Sequence, residues 1–409
     1  MEFAPNELAL VYVAENLPND KTDDDPYRTY RFKPDFGEGL VGKRDPAIFL
    51  LSWSASSPPI LYQVNSVGLG GNVFFGQPIF DPQTPNVIYA TGYELTQGGR
   101  VLGIKGCFNR PSGIWRLTIP SSPFSVPRDG VKDTVKHSLI ATESVQKLTP
   151  PHLSCRSPRA VKTDSGTTLV WLACICGGAH VSTSTLHALD ITFTPGMIND
   201  QALLASDKPL VDVRLEPLKD LNTFPGLYPS YNLPASPFIL DDLSQTNILL
   251  HSQWGSRTTI LQISLKDGSI REVLPDGNGS LFSWSVLATD GRGQVVCSRS
   301  TPDVPYQIWL GQVRKHRGDL QWSLLDEPTL PNHGKLFAFY FLDIYLTLFQ
   351  LVQLLRASKP ELFPLETTHL SRQSWSTSRG QARTLDSHLV LPYLMVVPMH
   401  PLRQPSRPI

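Results

Sequence analysis

An all-β chain built by repeating one hairpin is what this sequence predicts, and three observations lead there. First, a bulky residue, a turn rich in Pro, Asp, Asn and Ser, and an apolar strand recur in that order. The unit reads Phe3-Ala-Pro-Asn-Glu-Leu-Ala-Leu-Val-Tyr-Val-Ala-Glu15 and Ile79-Phe-Asp-Pro-Gln-Thr-Pro-Asn-Val-Ile-Tyr-Ala-Thr91, then returns more loosely over Ser157 to Leu172 and Ser236 to Leu250. Second, 36 Pro and 29 Gly in 409 residues imply many turns and few long helices. Third, short apolar strands follow each hairpin at regular intervals. One such unit cannot bury its apolar face alone, so repetition decides the architecture. Four-stranded sheets repeated around an axis make a β-propeller.

The elements follow in order. After the first hairpin, Ala47–Trp53 and Pro59–Val64 read as two strands joined by a Ser/Pro turn. Gly113–Ile119 follows the second hairpin and Thr185–Ile191 the third. In the fourth unit, Ile248–Ser252, Thr259–Leu265 and Ile270–Leu274 form a meander around Asp267-Gly268, a strong hairpin signal. A fifth unit runs through Leu281–Leu287, Gln294–Ser298, Gln307–Val313 and Leu320–Leu325. About five blades are therefore expected over residues 1–328, arranged as an arc instead of a closed ring.

Residues 329–409 differ. Leu336–Leu355 is an apolar run with helical spacing, Ser371–Ser387 has the composition of a disordered linker, and Leu389–Pro398 reads as one strand. About thirteen Leu, Ile, Val and Phe residues favour membrane insertion of 336–355 by roughly 4–8 kcal/mol. Asp343 returns about 2.5–3.5 kcal/mol, and Thr347, Gln350 and Gln353 share its stripe. A docking helix with a narrow polar face is expected over a membrane span. Translated non-coding sequence is a third reading.

The 36 basic and 36 acidic residues cancel, leaving no footprint for nucleic acid or an anionic membrane. Five cysteines, an odd number, argue against a disulfide framework and suit a reducing compartment. The N-terminus shows no basic and apolar leader pattern, so the cytoplasm is the expected location.

Several segments together resemble the propeller of acylaminoacyl-peptidase (acylamino-acid-releasing enzyme), a prolyl-oligopeptidase-type serine peptidase. The carriers are Val11–Glu15, Asp35-Phe-Gly-Glu-Gly-Leu-Val-Gly-Lys-Arg-Asp-Pro46, Val101–Trp115 with Gly103-Ile-Lys-Gly-Cys-Phe-Asn-Arg110, Leu153–Arg159 and Phe224-Pro-Gly-Leu-Tyr228. The resemblance covers roughly residues 1–328. It implies a propeller of about seven blades, two of them missing upstream, that gates an α/β-hydrolase domain. That enzyme would release N-acylated amino acids from short blocked peptides through a Ser-Asp-His triad.

The nucleophile elbow of such a domain, G-x-S-x-G, does not occur here. Met395-Val-Val-Pro-Met-His-Pro-Leu-Arg403 begins like the family's oxyanion segment and then loses both glycines. The chain is accordingly expected to be truncated at both ends. No catalytic, cofactor-binding or metal-binding residue is assigned, and no cofactor is expected.

Other constellations have plainer readings. Cys174-Ile-Cys176 with His180 and His187 could be drawn as a zinc site, but Val170–Cys176 is a continuous apolar strand in which Cys is a small hydrophobe. His251 beside Ser252 is the most tempting acid–base pair, and an isolated strand His is usually structural. Asn19–Pro26 reads as a solvated acidic loop rather than a calcium site, and Gly68-Leu-Gly-Gly-Asn72 precedes a strand, not a helix. Expected partners are short N-acylated peptides, given a hydrolase domain, and further copies of the chain through open blade edges. The alternative is a non-enzymatic propeller that binds partners through its loops.

Overall fold

The computed structural model describes residues 1–16, 26–27, 30–31, 35–37, 39–43, 45–54, 57–66, 69, 72–121, 136–164, 166–192, 208–215, 223–275, 281–302, 304–314 and 319–328. The chain divides into two compact units, Met1–Tyr345 and Leu346–Ile409, and every described residue belongs to the first. The acidic loop before Pro26, the glycines at 68, 70 and 71, and all expectations for 329–409 lie outside the described residues.

The described part is all strand. Strands β1 (Glu2–Phe3), β2 (Ala9–Glu15), β3 (Pro46–Ser54) and β4 (Ser57–Asn65) form an antiparallel meander. A second contains β5 (Val73–Phe80), β6 (Val87–Glu94) and β7 (Ser112–Thr118). The chain then crosses back to lay β8 (Lys136–Ala141) parallel to β4, and returns as β9 (Ser144–Lys147) to pair with β7. A third meander holds β10 (Leu153–Thr163), β11 (Gly166–Ile175), β12 (Thr185–Ile191) and β13 (Pro209–Val211). The fourth is β14 (Phe238–Leu240), β15 (Thr246–Trp254), β16 (Arg257–Ser264) and β17 (Ile270–Glu272). The fifth is β18 (Ser283–Thr289), β19 (Gln294–Ser300), β20 (Gln307–Val313) and β21 (Leu320–Asp326). A single parallel contact, Ser154 with Ser112, joins the second and third.

In the first, second, fourth and fifth meanders the first turn is shaped by one device. Asn6, Asp81, Asp241 and Asp290 each follow the first strand of a meander, and a side-chain oxygen accepts the N–H groups that the turn exposes. Asn6 accepts from Leu8 at 3.1 Å, Asp81 from Gln83 and Thr84 at 2.8 Å, Asp241 from Gln245 at 2.8 Å and Asp290 from Gln294 at 2.9 Å. Such side chains stand in for water at backbone donors that bend away from the ladder.

Four apolar clusters fill the spaces between consecutive meanders. Leu50, Phe75, Ile88 and Leu117 lie between the first and second, and Tyr89, Leu153, Leu169 and Trp171 between the second and third. Leu172, Leu186, Ile248 and Leu261 follow, then Leu249, Ile260, Trp284 and Cys297. The strand period of two explains the sharing: on β11, Leu169 and Trp171 face one neighbour while Val170 and Leu172 face the other. Strands buried on both faces read as continuous apolar runs, as Leu169–Ala173 does. Each full burial of such a side chain contributes about 1.5–3 kcal/mol. Meanders stacked face to face through shared layers are the propeller arrangement. Among the described residues, no helix is long and apolar enough to cross a membrane.

Candidate functional site

The leading strands of the second and third meanders break step at the same place. Pairing of β5 with β6 shifts between Gly76 and Ile79, and pairing of β10 with β11 shifts between Arg156 and Arg159. Each bulge contains a non-glycine residue with positive φ immediately before proline: Gln77 at 50° and Ser157 at 57°. That conformation costs about 1–2 kcal/mol per residue. A network holds both in place. Gln77 Oε1 accepts from Thr91 Oγ1 at 2.7 Å and from the Ser157 N–H at 2.8 Å, while Ser157 Oγ accepts from the Leu233 N–H at 2.8 Å.

Arg156 sits beside this knot, only 2% exposed. Its Nε donates to the Tyr231 carbonyl at 3.0 Å and its Nη2 to Ser184 Oγ at 2.8 Å, and Nη1 lies 3.5 Å from Cys174 Sγ. The guanidinium carbon stands 4.3 Å from the Phe108 ring centre and 5.7 Å from that of Tyr231. Among the described residues no carboxylate pairs with it; carbonyl dipoles and ring faces carry the charge instead. Tyr231 Oη also meets Tyr93 Oη at 3.5 Å. Burial pushes both phenols up, so they stay neutral beside the cation.

Arg159, on the far side of the same bulge, donates to the carbonyls of Leu233, Pro234 and Pro158 at 2.7 Å each. Glu2 on β1 feels its charge. Burial raises the Glu2 carboxyl to about 7, against the pull of Arg159 and the N-terminus.

The segments that bear the family resemblance meet around this junction. Phe36 sets its ring edge-on to Phe74, with centres 5.3 Å apart, and lies 6.4 Å from Tyr93. Gly37 has φ 81° and approaches Gly103 so closely that a Cβ there would lie 3.1 Å from the Gly103 Cα. Asn109 holds the Gly177-Gly178 turn from both sides, accepting at its carbonyl from Gly177 and donating to the Gly178 carbonyl. This places Phe108 on Arg156. Leu227 bridges to Ser184, bringing Tyr231 with it. Four stretches spread from 35 to 228 therefore assemble one site.

The N-terminal-domain model of acylamino-acid-releasing enzyme matches residues 9–336. The chain belongs to that family. It is 29% identical over 329 residues to acylamino-acid-releasing enzyme 1 of Oryza sativa subsp. japonica, covering 75% of this chain and 39% of that protein. It is 28% identical over 279 residues to the Arabidopsis thaliana enzyme, covering 67% and 32% respectively. The chain thus spans about two fifths or less of the curated relatives it matches. Among solved structures, prolyl oligopeptidase B from Galerina marginata aligns at 10% identity and TM-score 0.40, over 81% of this chain and 34% of that one. A putative TolB from Agrobacterium tumefaciens aligns at 10% identity and TM-score 0.34, over 70% and 77%.

In this member of the acylamino-acid-releasing enzyme family, the candidates noted in the sequence fall apart. Cys174 points to Arg156 and Ser184, whereas Cys176 is pushed up by burial and then by Glu94. His187 stacks on Trp171 at 5.3 Å and meets Thr185 Oγ1 at 2.8 Å. No metal-binding group forms among the described residues. His251 does not bond Ser252, whose Oγ accepts from the Tyr228 N–H. It meets Ser230 Oγ instead, at 2.9 Å through Nε2, while Nδ1 accepts from the Val286 N–H at 3.3 Å. Nδ1 is then unprotonated and Nε2 carries the proton, so His251 donates to Ser230 and cannot take its proton. That tautomer is the reverse of what a nucleophile's base requires.

A cavity of about 830 Å³ opens at the end of the third meander, with Cys174, Thr185 and His187 inside it and Lys208 and Asp212 toward solvent. The Arg156 junction was hidden from sequence reasoning. Its one available signal was the pair of X-Pro steps, Gln77-Pro78 and Ser157-Pro158, at matching places in two units.

Proposed function

We propose that this chain is the substrate-gating propeller portion of an acylaminoacyl-peptidase-like serine peptidase, acting with an α/β-hydrolase domain on short N-acylated peptides. The observation that carries this reading is the Arg156 junction. Leading strands that must exclude long chains need rigid ends, and the Gln77–Ser157–Leu233 network with the Phe108–Arg156–Tyr231 stack supplies them. The gate excludes by size, and the acyl-transfer chemistry belongs to a triad outside the propeller. Five free thiols support a cytoplasmic location. Uncovered strand edges would also let copies associate. The second reading, a non-enzymatic interaction module, is favoured by the exposed apolar residues Leu281 and Tyr306 on the fifth meander.

The test is a chimera in which residues 9–336 replace the matching part of the rice enzyme. It should cleave N-acetyl-alanyl p-nitroanilide while discriminating at least tenfold against a long blocked peptide. Equal cleavage of long and short substrates would sink the gating role. The chain alone should show neither hydrolysis nor fluorophosphonate labelling, and stoichiometric labelling of any serine would overturn the assignment of chemistry to another domain.

A further inference from the structure

Arg299, near the end of β19, is held in an unusual way. Its guanidinium carbon lies 4.0 Å from the ring centre of Phe282, 4.0 Å from that of Trp309 and 5.1 Å from that of Trp284. Nε donates to Gln307 Oε1 at 2.7 Å, and the same oxygen accepts from Trp309 Nε1 at 3.3 Å. Trp284 is itself wedged against Trp309 and Trp322, with centres 5.8 and 5.4 Å away. The guanidinium is thereby held by three ring contacts and one hydrogen bond, and Trp284 among those rings is fully buried.

Its far edge is unspent. Among the described residues, Nη1 and Nη2 meet no acceptor and no carboxylate pairs with the charge. The nearest acid in the network, Glu327, stops one residue short, accepting from Gln307 Nε2 at 2.9 Å. Partial burial lowers the pKa of Arg299 from the ordinary guanidinium value, with no counter-charge to offset it. Two exposed apolar residues precede the clamp in sequence: Leu281 at 67% exposure before Phe282, and Tyr306 at 66% before Gln307.

A guanidinium edge with two parallel N–H vectors matches the two oxygens of a carboxylate. Rings packed against the guanidinium reduce the rotational freedom that an arginine loses on binding, so the fork is pre-organised. We propose that Arg299 is a receptor for the α-carboxylate of a peptide that ends in an apolar residue. The fork takes the two carboxylate oxygens, and Leu281 and Tyr306 offer apolar surface to the terminal side chain. Nothing in this site depends on the gating role of the Arg156 junction.

Tryptophan fluorescence of the full chain reads the site directly, since Trp284 and Trp309 flank the guanidinium. The tripeptide Ala-Ala-Leu should saturate the signal below about 10 mM, and its C-terminal amide should bind at least tenfold more weakly. Ala-Glu-Ala amide, which carries its acid on a side chain, should fall with the amide. If it matched Ala-Ala-Leu, any carboxylate would serve and the α-carboxylate assignment would be wrong. Arg299→Lys keeps the charge but loses the fork, and should weaken Ala-Ala-Leu about tenfold; Glu327→Gln should strengthen it two- to threefold. Equal binding of acid and amide by the unaltered chain, or no saturation by any of the three peptides, would overturn the proposal without recourse to a variant.

Discussion

Arg156 and Arg299 are both clasped by aromatic rings, yet they differ in what remains of each. Arg156 is sealed between the third meander and the Tyr231 segment, with Nε and Nη2 committed to Tyr231 and Ser184. Arg299 has the tighter ring contacts, 4.0 Å from each of two ring centres, but only Nε is committed. Ring contacts therefore do not decide an arginine's role. The fate of its terminal nitrogens does, because a buried N–H without a partner is costly while a presented one is available. The first arginine ties the fold; the second is open to a ligand.

The largest effect of substitution is expected at Arg156. Arg156→Lys preserves the charge but cannot reach Tyr231 and Ser184 together or lie flat on Phe108. A buried ammonium would remain with its partners unmet. Stability measured by urea unfolding should fall by about 2–4 kcal/mol. A change below about 1 kcal/mol would show that the junction is ornamental to the fold.

A smaller effect, with a definite sign, is expected at His251. Its ring joins Ser230 to the Val286 backbone, and burial holds its pKa below the ordinary 6.5. The unfolded chain therefore takes up a proton first as pH falls through 6.5. Stability is unaffected above that pH and is lost progressively below it. Protonation would also convert Nδ1 from acceptor to donor against the Val286 N–H. The protection factor of the Val286 amide, its observed exchange rate set against the intrinsic rate at each pH, should fall below pH 6.5 in the unaltered chain and lose that dependence in His251→Asn. An identical pH profile in both would remove His251 from the account.

Much of this was legible in the sequence, for identifiable reasons. The strands Ile248–Ser252, Thr259–Leu265 and Gln307–Val313 announced themselves because alternating or continuous apolar residues between Asp-Gly, Pro and Asn turns have few other uses. The propeller followed from repetition, and the family from segments that retained their order. The parallel strand β8 was not legible: Lys136–Ala141 pairs with β4 across more than seventy positions, and no local pattern encodes that partner. The Arg156 junction was equally hidden, because positive φ at Gln77 and Ser157 belongs to residues with no intrinsic preference for it. Neither Phe108 nor Tyr231 differs in sequence from an ordinary packing aromatic. His251 shows the converse. Its neighbour in sequence, Ser252, suggested a pair that the strand's alternation places on opposite faces, while its actual partner Ser230 is 21 positions away.

Arg299→Lys should alter urea stability by no more than about 0.5–1 kcal/mol, the range of a partly exposed cation over aromatic faces. The ammonium can remain near Phe282 and Trp309 while its head reaches water, which Arg156→Lys cannot do. Gln307 loses one donor but keeps Trp309 Nε1 and Glu327, so no buried acceptor is stranded. A variant that is nearly neutral for stability and tenfold weaker for Ala-Ala-Leu would separate presentation from support. A loss as large as that at Arg156 would mean that the two clamps do the same structural work, and the contrast between them would fail.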